Sequence, residues 1–344
     1  MLILTIESSC DETSAAVVHD GRQILSNAVA SQIPIHQRYG GVVPEIASRN
    51  HVRDIQPVID RCLDEAGVTL ADIEGIGVTS GPGLIGSLLV GIETAKGMAF
   101  ARDIPCIGLN HIEGHLTTVM LETETAGTPE FPYIGLVVSG GHSDLYVVEG
   151  FGEYERLGGT RDDAAGEAFD KVAKMLGLPY PGGIEIDERA AEGDPEAIEF
   201  PRPMWTRKNF DFSFAGLKTA VFQHLDEHGV PDDEQGMADL CASFQQAVVD
   251  VLVMKTMEAA DRRAIPRVVL SGGVAANSRL RADMETAADE RDVGLFVAPA
   301  ELCTDNAAML GPIAEHYLTT EVGAGFQGQR IRAESNVELA AASG

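Results

Sequence analysis

The sequence predicts an α/β protein built from two similar α/β halves that face each other across a nucleotide cleft. Two observations predict it. Residues 3–19 run as an apolar strand, a polar loop and a second apolar strand, and residues 134–149 repeat that plan. Residues 75–99 pass from a strand through glycines into a helix, and residues 267–288 do the same. Each half therefore carries a hairpin and, later, a strand–glycine–helix unit. Such a turn offers backbone N–H groups and a helix N-terminus to a phosphate.

The first strand opens at Met1-Leu-Ile-Leu-Thr-Ile, which lacks a basic region and runs into an acidic segment, unlike a signal peptide. The hairpin tip after it carries Asp11 and Glu12. Two carboxylates there can hold water or act as a general base, or form an exposed turn. Residues 54–66 and 239–258 have helical apolar spacing and should pack on the sheets.

An extended stretch, Ile104–Leu109, leads into His111-Ile-Glu-Gly-His115. Histidines at i and i+4 share one helix face and can grip one metal ion. The order differs from H-E-x-x-H, whose glutamate follows the first histidine as general base. Here Glu113 sits at i+2 and should point away. A third ligand is available in Asp305, within Leu302-Cys-Thr-Asp-Asn-Ala after the apolar segment Gly294–Ala298. Asp305 can equally serve as a helix N-cap. Two histidines and a carboxylate suit Fe(II) or Zn(II) and leave positions open.

Residues 122–131 are rich in breakers and separate the halves. Beyond them, Ser139-Gly-Gly-His142 forms the second hairpin tip, where glycines let backbone amides approach a phosphate or carboxylate. A serine hydrolase is excluded there by the missing strand–G-x-S-x-G–helix context. Gly166-Glu-Ala-Phe-Asp-Lys171 presents Asp170, suited to ribose hydroxyls, and Tyr180-Pro-Gly-Gly183 can admit a flat ring. Ser271-Gly-Gly-Val-Ala-Ala-Asn277 ends in an amide that can read an adenine or ribose edge, or cap a helix. Residues 202–218 mix Arg202, Arg207, Lys208 and Lys218 with aromatics, fit either for RNA or for anchoring their own loop. Residues 225–235 read as an exposed loop and 333–344 as a frayed tail.

Composition sets limits. A length of 344 residues allows two domains, and 44% hydrophobic content supplies a core. The longest apolar runs, such as Ile134–Val138, are too short to span a membrane, and the expected compartment is the cytoplasm. The cysteines Cys10, Cys62, Cys106, Cys241 and Cys303 are scattered, which argues against a disulfide framework. A net charge of −28 opposes non-specific nucleic-acid binding, so any RNA contact needs a local basic patch or a partner's surface.

The order and spacing of IESSCDETSAAVV, GGVVPEIASRNH, TSGPGLIGSLLVG, HIEGHL, LVVSGGHSDL, DDAAGEAFDKVAKMLGLPYPGG, FSFAGLKTA, LSGGVAANSRLR and CTDNAAML resemble the bacterial branch of the TsaD family, once called Gcp, from Ile6 to about Phe326. The resemblance implies the fold shared by actin, sugar kinases and heat-shock chaperone ATPases. Residues 1–115 with a C-terminal helix over about 306–326 would form one half and 116–305 the other. It implies transfer of a threonylcarbamoyl group from threonylcarbamoyl-AMP to adenosine 37 of tRNAs that read codons beginning with A. It assigns His111, His115 and Asp305 to one divalent metal ion per subunit, with Fe(II) favoured and Zn(II) the alternative. It assigns Val137, Val138, Ser139, Gly140, Gly141, Asp170, Gly183, Asp187 and Asn277 to the adenylate. Asp11 or Glu12 would take the amine proton. Expected partners are tRNA, a non-catalytic paralogue (TsaB) and a small ATPase (TsaE), with no membrane. Ser143, Asp144 and the acidic run 184–188 depart from the usual pattern. The competing readings are a metalloprotease and a sugar-kinase-like ATPase.

Overall fold

The structure is a computed structural model that describes residues 1–123, 127–205, 208–320 and 328–339. In chain order its elements are β1 (Leu2–Glu7), β2 (Glu12–His19), β3 (Gln23–Ser31), α1 (Ile33–His36), α2 (Pro44–Ala66), β4 (Gly75–Gly81), α3 (Ile85–Arg102), β5 (Cys106–Asn110), α4 (His111–Thr117), β6 (Tyr133–Val138), β7 (Ser143–Gly150), β8 (Glu153–Gly159), α5 (Ala165–Met175), α6 (Gly182–Ala190), α7 (Ala215–His228), α8 (Glu234–Arg263), β9 (Arg267–Ser271), α9 (Ser278–Asp289), β10 (Gly294–Val297), α10 (Ala300–Cys303) and α11 (Gly311–Thr320). They form two compact units, residues 1–129 with 301–344, and residues 130–300.

Each unit is built on a five-stranded sheet. The first has the order β3-β2-β1-β4-β5 and the second β8-β7-β6-β9-β10. In both, the first three strands form an antiparallel meander and the last two join in parallel. The duplication expected from the sequence is thus a duplication of topology, with β1 matching β6 and β4 matching β9. Every residue of β6 is buried, as the continuous apolar run of a covered central strand requires.

In the first unit, Leu4, Ile6, Val17, Val78, Leu88 and Ile92 pack with Ile59 and Cys62 of α2. Burying each large aliphatic side chain contributes roughly 1.5–3 kcal/mol. The helix α2 starts with a proline in its first turn and stops where Gly67 turns left-handed at φ 69°. The 331–337 stretch is tied down. Glu334 N–H donates to the Ser80 carbonyl at 2.9 Å, and Ile331 and Ala333 pack on the core. The frayed tail expected from residue 333 therefore does not begin there, because backbone groups at the end of β4 hold the segment. Residues 340–344, and residues 321–326 of the expected C-terminal helix, lie outside the described residues.

In the second unit, α8 is the central helix, with Phe244 meeting Phe169 of α5 edge-on at 5.2 Å. By length and composition α8 could cross a membrane, but most of its apolar stretch is buried inside the protein. The loop expected over 225–235 is shorter. The helix α7 continues to His228, and Asp233 caps α8 by accepting from Gly236 N–H. The chain leaves the second unit at residue 300, whereas the sequence placed residues up to 305 there. Asp305 consequently belongs to the same unit as His111 and His115.

Candidate functional site

In the first unit, α4 begins where β5 ends. The Asn110 side chain caps it, accepting from the backbone N–H of Ile112 at 2.8 Å and of Glu113 at 3.2 Å. That cap sets the helix phase and puts the His111 and His115 rings together, 4.7 Å between centroids. Glu113 turns the other way and accepts a 2.6 Å hydrogen bond from the Tyr317 hydroxyl of α11. Glu113 is therefore not placed as a protease-type base on the histidine face.

Asp305 lies in the turn after α10. Its neighbour Asn306 accepts from Met309 N–H at 3.1 Å. The Asp305 carboxylate instead meets the histidines, with Oδ1 3.1 Å from His115 Nε2 and 3.6 Å from His111 Nε2. One ligand atom from each residue falls within 4.8 Å of the other two. His115 is fully buried, and its Nδ1 has no hydrogen-bond partner among the described residues. Two imidazoles and a carboxylate converging out of water are a donor set that can hold a divalent ion. Burial pushes the His111 imidazolium down, but the carboxylates of Asp305 and Glu7 outweigh it and raise the group to about 9. A bound cation would take the place of that proton.

The β1–β2 tip carries Asp11 and Glu12. It is fixed from both sides. His51 Nε2 donates to the Cys10 carbonyl at 2.9 Å, and Gln32 N–H donates to the Asp11 carbonyl at 3.0 Å. Thr13 in turn donates to His51 Nδ1 at 2.7 Å. Ser31 donates to Glu12 Oε1 at 3.0 Å. Burial raises the Asp11 carboxyl above its ordinary range, with repulsion from Asp305 adding to it. Glu12 is raised further, by burial and then by the charges of Asp11 and Asp305. The same charge on Asp305 thus reaches both tip carboxylates.

In the second unit, the predicted adenylate residues gather at the carboxyl ends of β6 and β9, the end where open α/β sheets bind ligands. Val137 pairs with Ser271 in the parallel register. The Val137–Gly141 tip is closed by Ser139, whose Oγ accepts from His142 N–H at 3.1 Å. A methyl group added at Gly140, Gly141 or Gly273 would meet no atom within 4 Å, and at Gly183 only Phe169 Cβ, at 4.0 Å. Neither packing nor a positive φ demands glycine there. Gly272 differs: its φ is +90° and a Cβ would lie 2.4 Å from the Val138 carbonyl oxygen.

Asp170 accepts from Gly182 N–H at 2.8 Å and so pins the turn into α6. Asn277 bonds in three directions. Its Oδ1 caps α9 at Leu280 N–H, and its Nδ2 donates to Gln245 at 2.7 Å and to Asp187 at 3.1 Å. Asp187 also accepts from the Ser278 backbone and hydroxyl. The capping reading of Asn277 holds, and the cap is what fixes its amide next to Asp187.

Two cations of the basic stretch 202–218 are neutralised. Arg202 pairs with Asp250 and Lys218 with Asp163, at 2.8 and 2.6 Å. Arg207 lies outside the described residues. Trp205 stays exposed. The paired charges favour a loop that anchors itself over an RNA-binding patch.

Sequence reasoning missed Glu7 and Gln245. Glu7 is the lone acid at the end of a mostly apolar strand, and only the fold shows that it is fully buried. Gln245 gave no signal, since one amide on a long helix has no pattern.

A family model described as TsaD, tRNA N6-adenosine threonylcarbamoyltransferase, matches residues 23–311. A Geobacter metallireducens protein of that name is 58% identical over 326 residues, 95% of this chain and 94% of the relative. One from Anaeromyxobacter dehalogenans is 55% identical over 339 residues, 98% of each. Among solved structures, HypF of T. kodakarensis superposes with a TM-score of 0.60 at 15% identity, over 93% of this chain and 48% of that one. The Acidaminococcus fermentans (R)-2-hydroxyglutaryl-CoA dehydratase component A superposes with 0.55 at 14% identity, over 93% and 100%. At such low identity these two show a shared fold alone.

Proposed function

The chain belongs to the TsaD family, the tRNA N6-adenosine threonylcarbamoyltransferases, and from that premise we propose how its residues divide the reaction. The observation that carries the proposal is the convergence of His111, His115 and Asp305 on one point, in the unit that also holds Asp11 and Glu12. The substrate is threonylcarbamoyl-AMP and the acceptor is the N6 amine of adenosine 37 in tRNAs reading ANN codons.

The second unit binds the adenylate. The open glycine backbone at Gly140, Gly141 and Gly183 admits its phosphate and ring, and Asp170, Asp187 and Asn277 meet its hydroxyls and base edge. His111, His115 and Asp305 hold one divalent ion, Fe(II) by preference and Zn(II) as the alternative, which when bound supplies Lewis-acid polarisation of a carbonyl. In the transfer, the adenosine amine forms a bond to the carbamoyl carbon. The bond from that carbon to the AMP phosphate oxygen breaks, and AMP leaves. Asp11 or Glu12 accepts the amine proton, a task suited to carboxyls raised above their ordinary range. Positioning of the two reactants contributes much of the acceleration.

A metalloprotease is disfavoured because Glu113 is engaged with Tyr317. A sugar-kinase-like ATPase has no need of the paired histidines.

With a net charge of −28, and with Arg202 and Lys218 of its basic stretch paired to carboxylates, the chain is poorly equipped to bind tRNA alone. We propose that it works in the cytoplasm as a heterodimer with the TsaB paralogue, aided by the TsaE ATPase. Val52 on α2 and Ile85, Leu89 and Phe100 on α3 are exposed apolar side chains on helices of the first unit, fit for such a partner. Light scattering of the mixed proteins tests the pairing, and persistent monomers would count against it.

The reaction is tested directly. Purified protein, both partners, threonylcarbamoyl-AMP and unmodified tRNA are combined, and nucleosides are read by mass spectrometry. Threonylcarbamoyladenosine is the expected product; none under reducing, metal-replete conditions would overturn the assignment.

A further inference from the structure

We propose that Glu7 is a positioning residue that holds His111 as its Nδ1–H tautomer and so presents Nε2 as the metal-binding nitrogen. This rests on reading His111, His115 and Asp305 as a metal centre. Glu7 closes β1 and is fully buried. An isolated carboxylate there would be costly, but this one is surrounded by donors. Oε1 accepts from Ser9 N–H at 2.6 Å. Oε2 accepts from the Thr79 hydroxyl and lies 3.1 Å from His111 Nδ1. An ionised carboxylate can only accept, so the proton must sit on Nδ1. The nitrogen left for a cation is then Nε2, the one that faces Asp305 at 3.6 Å.

Carboxylates behind ligating histidines fix the ring orientation and raise its basicity. His115 has no such support on its Nδ1 among the described residues, so the centre is asymmetric and depends on Glu7 for one of its two imidazoles. Ser9 offers a rival account, because its Oγ is also 3.2 Å from His111 Nδ1. A hydroxyl can donate as well as accept, however, and cannot enforce a tautomer. Glutamine could not replace Glu7 either. With its oxygen kept on the Ser9 N–H, its NH₂ would face His111 Nδ1 and favour the opposite tautomer.

The test uses the full-length protein loaded with zinc. Zinc affinity is measured by competition with a chelator, and ¹⁵N NMR of the imidazoles reports which His111 nitrogen carries the proton. Wild-type protein should bind zinc through His111 Nε2 with Nδ1 protonated. Glu7→Gln should lower zinc affinity by about 10–100-fold and disturb the His111 signals. Ser9→Ala should keep both readouts at the wild-type level. Should Glu7→Gln fail to fold, Glu7→Asp keeps the charge but draws it back by one methylene, and the same two readouts should move in the same direction. Wild-type affinity with an unchanged His111 tautomer in the Glu7 variant, or a loss seen in Ser9→Ala instead, would overturn the proposal. A wild-type protein that binds no zinc and no iron would sink the metal-centre reading itself and this inference with it.

Discussion

His115 Nε2 stands 3.1 Å from the Asp305 carboxylate although 190 residues separate the two in the chain. The contact closes because the chain returns to its first unit after residue 300. The turn after α10 then delivers an acid to α4, the helix that carries both histidines.

Replacing His115 by alanine should abolish both metal retention and transfer. We expect affinity for the ion to fall by more than about 100-fold, beyond what the loss of a supporting hydrogen bond costs. Metal analysis of the purified variant, alongside nucleoside mass spectrometry, checks this. A variant that keeps its metal and its activity would remove His115 from the site.

Asp11→Asn should behave differently. It should retain the metal while slowing transfer about 10²–10⁴-fold, the usual contribution of a positioned acid or base. Single-turnover kinetics at saturating adenylate separate this from weakened binding. If Asp11→Asn is near wild type and Glu12→Gln is slow, the base is Glu12.

Two adjacent glycines give a sharp contrast. A methyl group at Gly183 meets nothing closer than 4.0 Å, so Gly183→Ala should leave stability intact or raise it by about 0.4–1 kcal/mol while weakening adenylate binding. A methyl group at Gly182 would fall 2.5 Å from Ala173 Cβ, so Gly182→Ala should destabilise by about 1–3 kcal/mol. Thermal unfolding and adenylate titration of both variants test the pair. Unchanged adenylate affinity in Gly183→Ala would remove that glycine from the binding surface.

His51 should make the first unit sensitive to acid. Burial lowers its pKa below the ordinary 6.5. The folded state therefore holds the neutral ring, bonded to Thr13 and Cys10, while the unfolded chain takes up a proton. Its stability contribution is present above about pH 6.5 and is lost as pH falls toward the lowered value. Melting temperature across this range should drop in the wild type and drop less in His51→Gln. Equal slopes would show that another group dominates.

Much of the architecture was legible in the sequence because it is local. Apolar runs mark β1, β2, β6 and β7, glycines mark the turns into α3 and α9, and the i, i+4 spacing marks His111 and His115. Those features depend on neighbours a few residues away, and the repeated order of strings identified the family. What the sequence left open at each position was a choice between two uses of the same side chain. Asp305 could cap or ligate, and only folding placed its carboxylate beside both histidines. Asn277 could cap or face a ligand, and its three-way bonding lets it cap while its amide meets Asp187. Arg202 and Lys218 could meet RNA, and the fold supplied Asp250 and Asp163 instead. Glu7 behind His111 was hidden for the same reason. Hydrogen bonds and ion pairs between residues far apart in sequence leave no periodic trace, so the tertiary structure alone decides them.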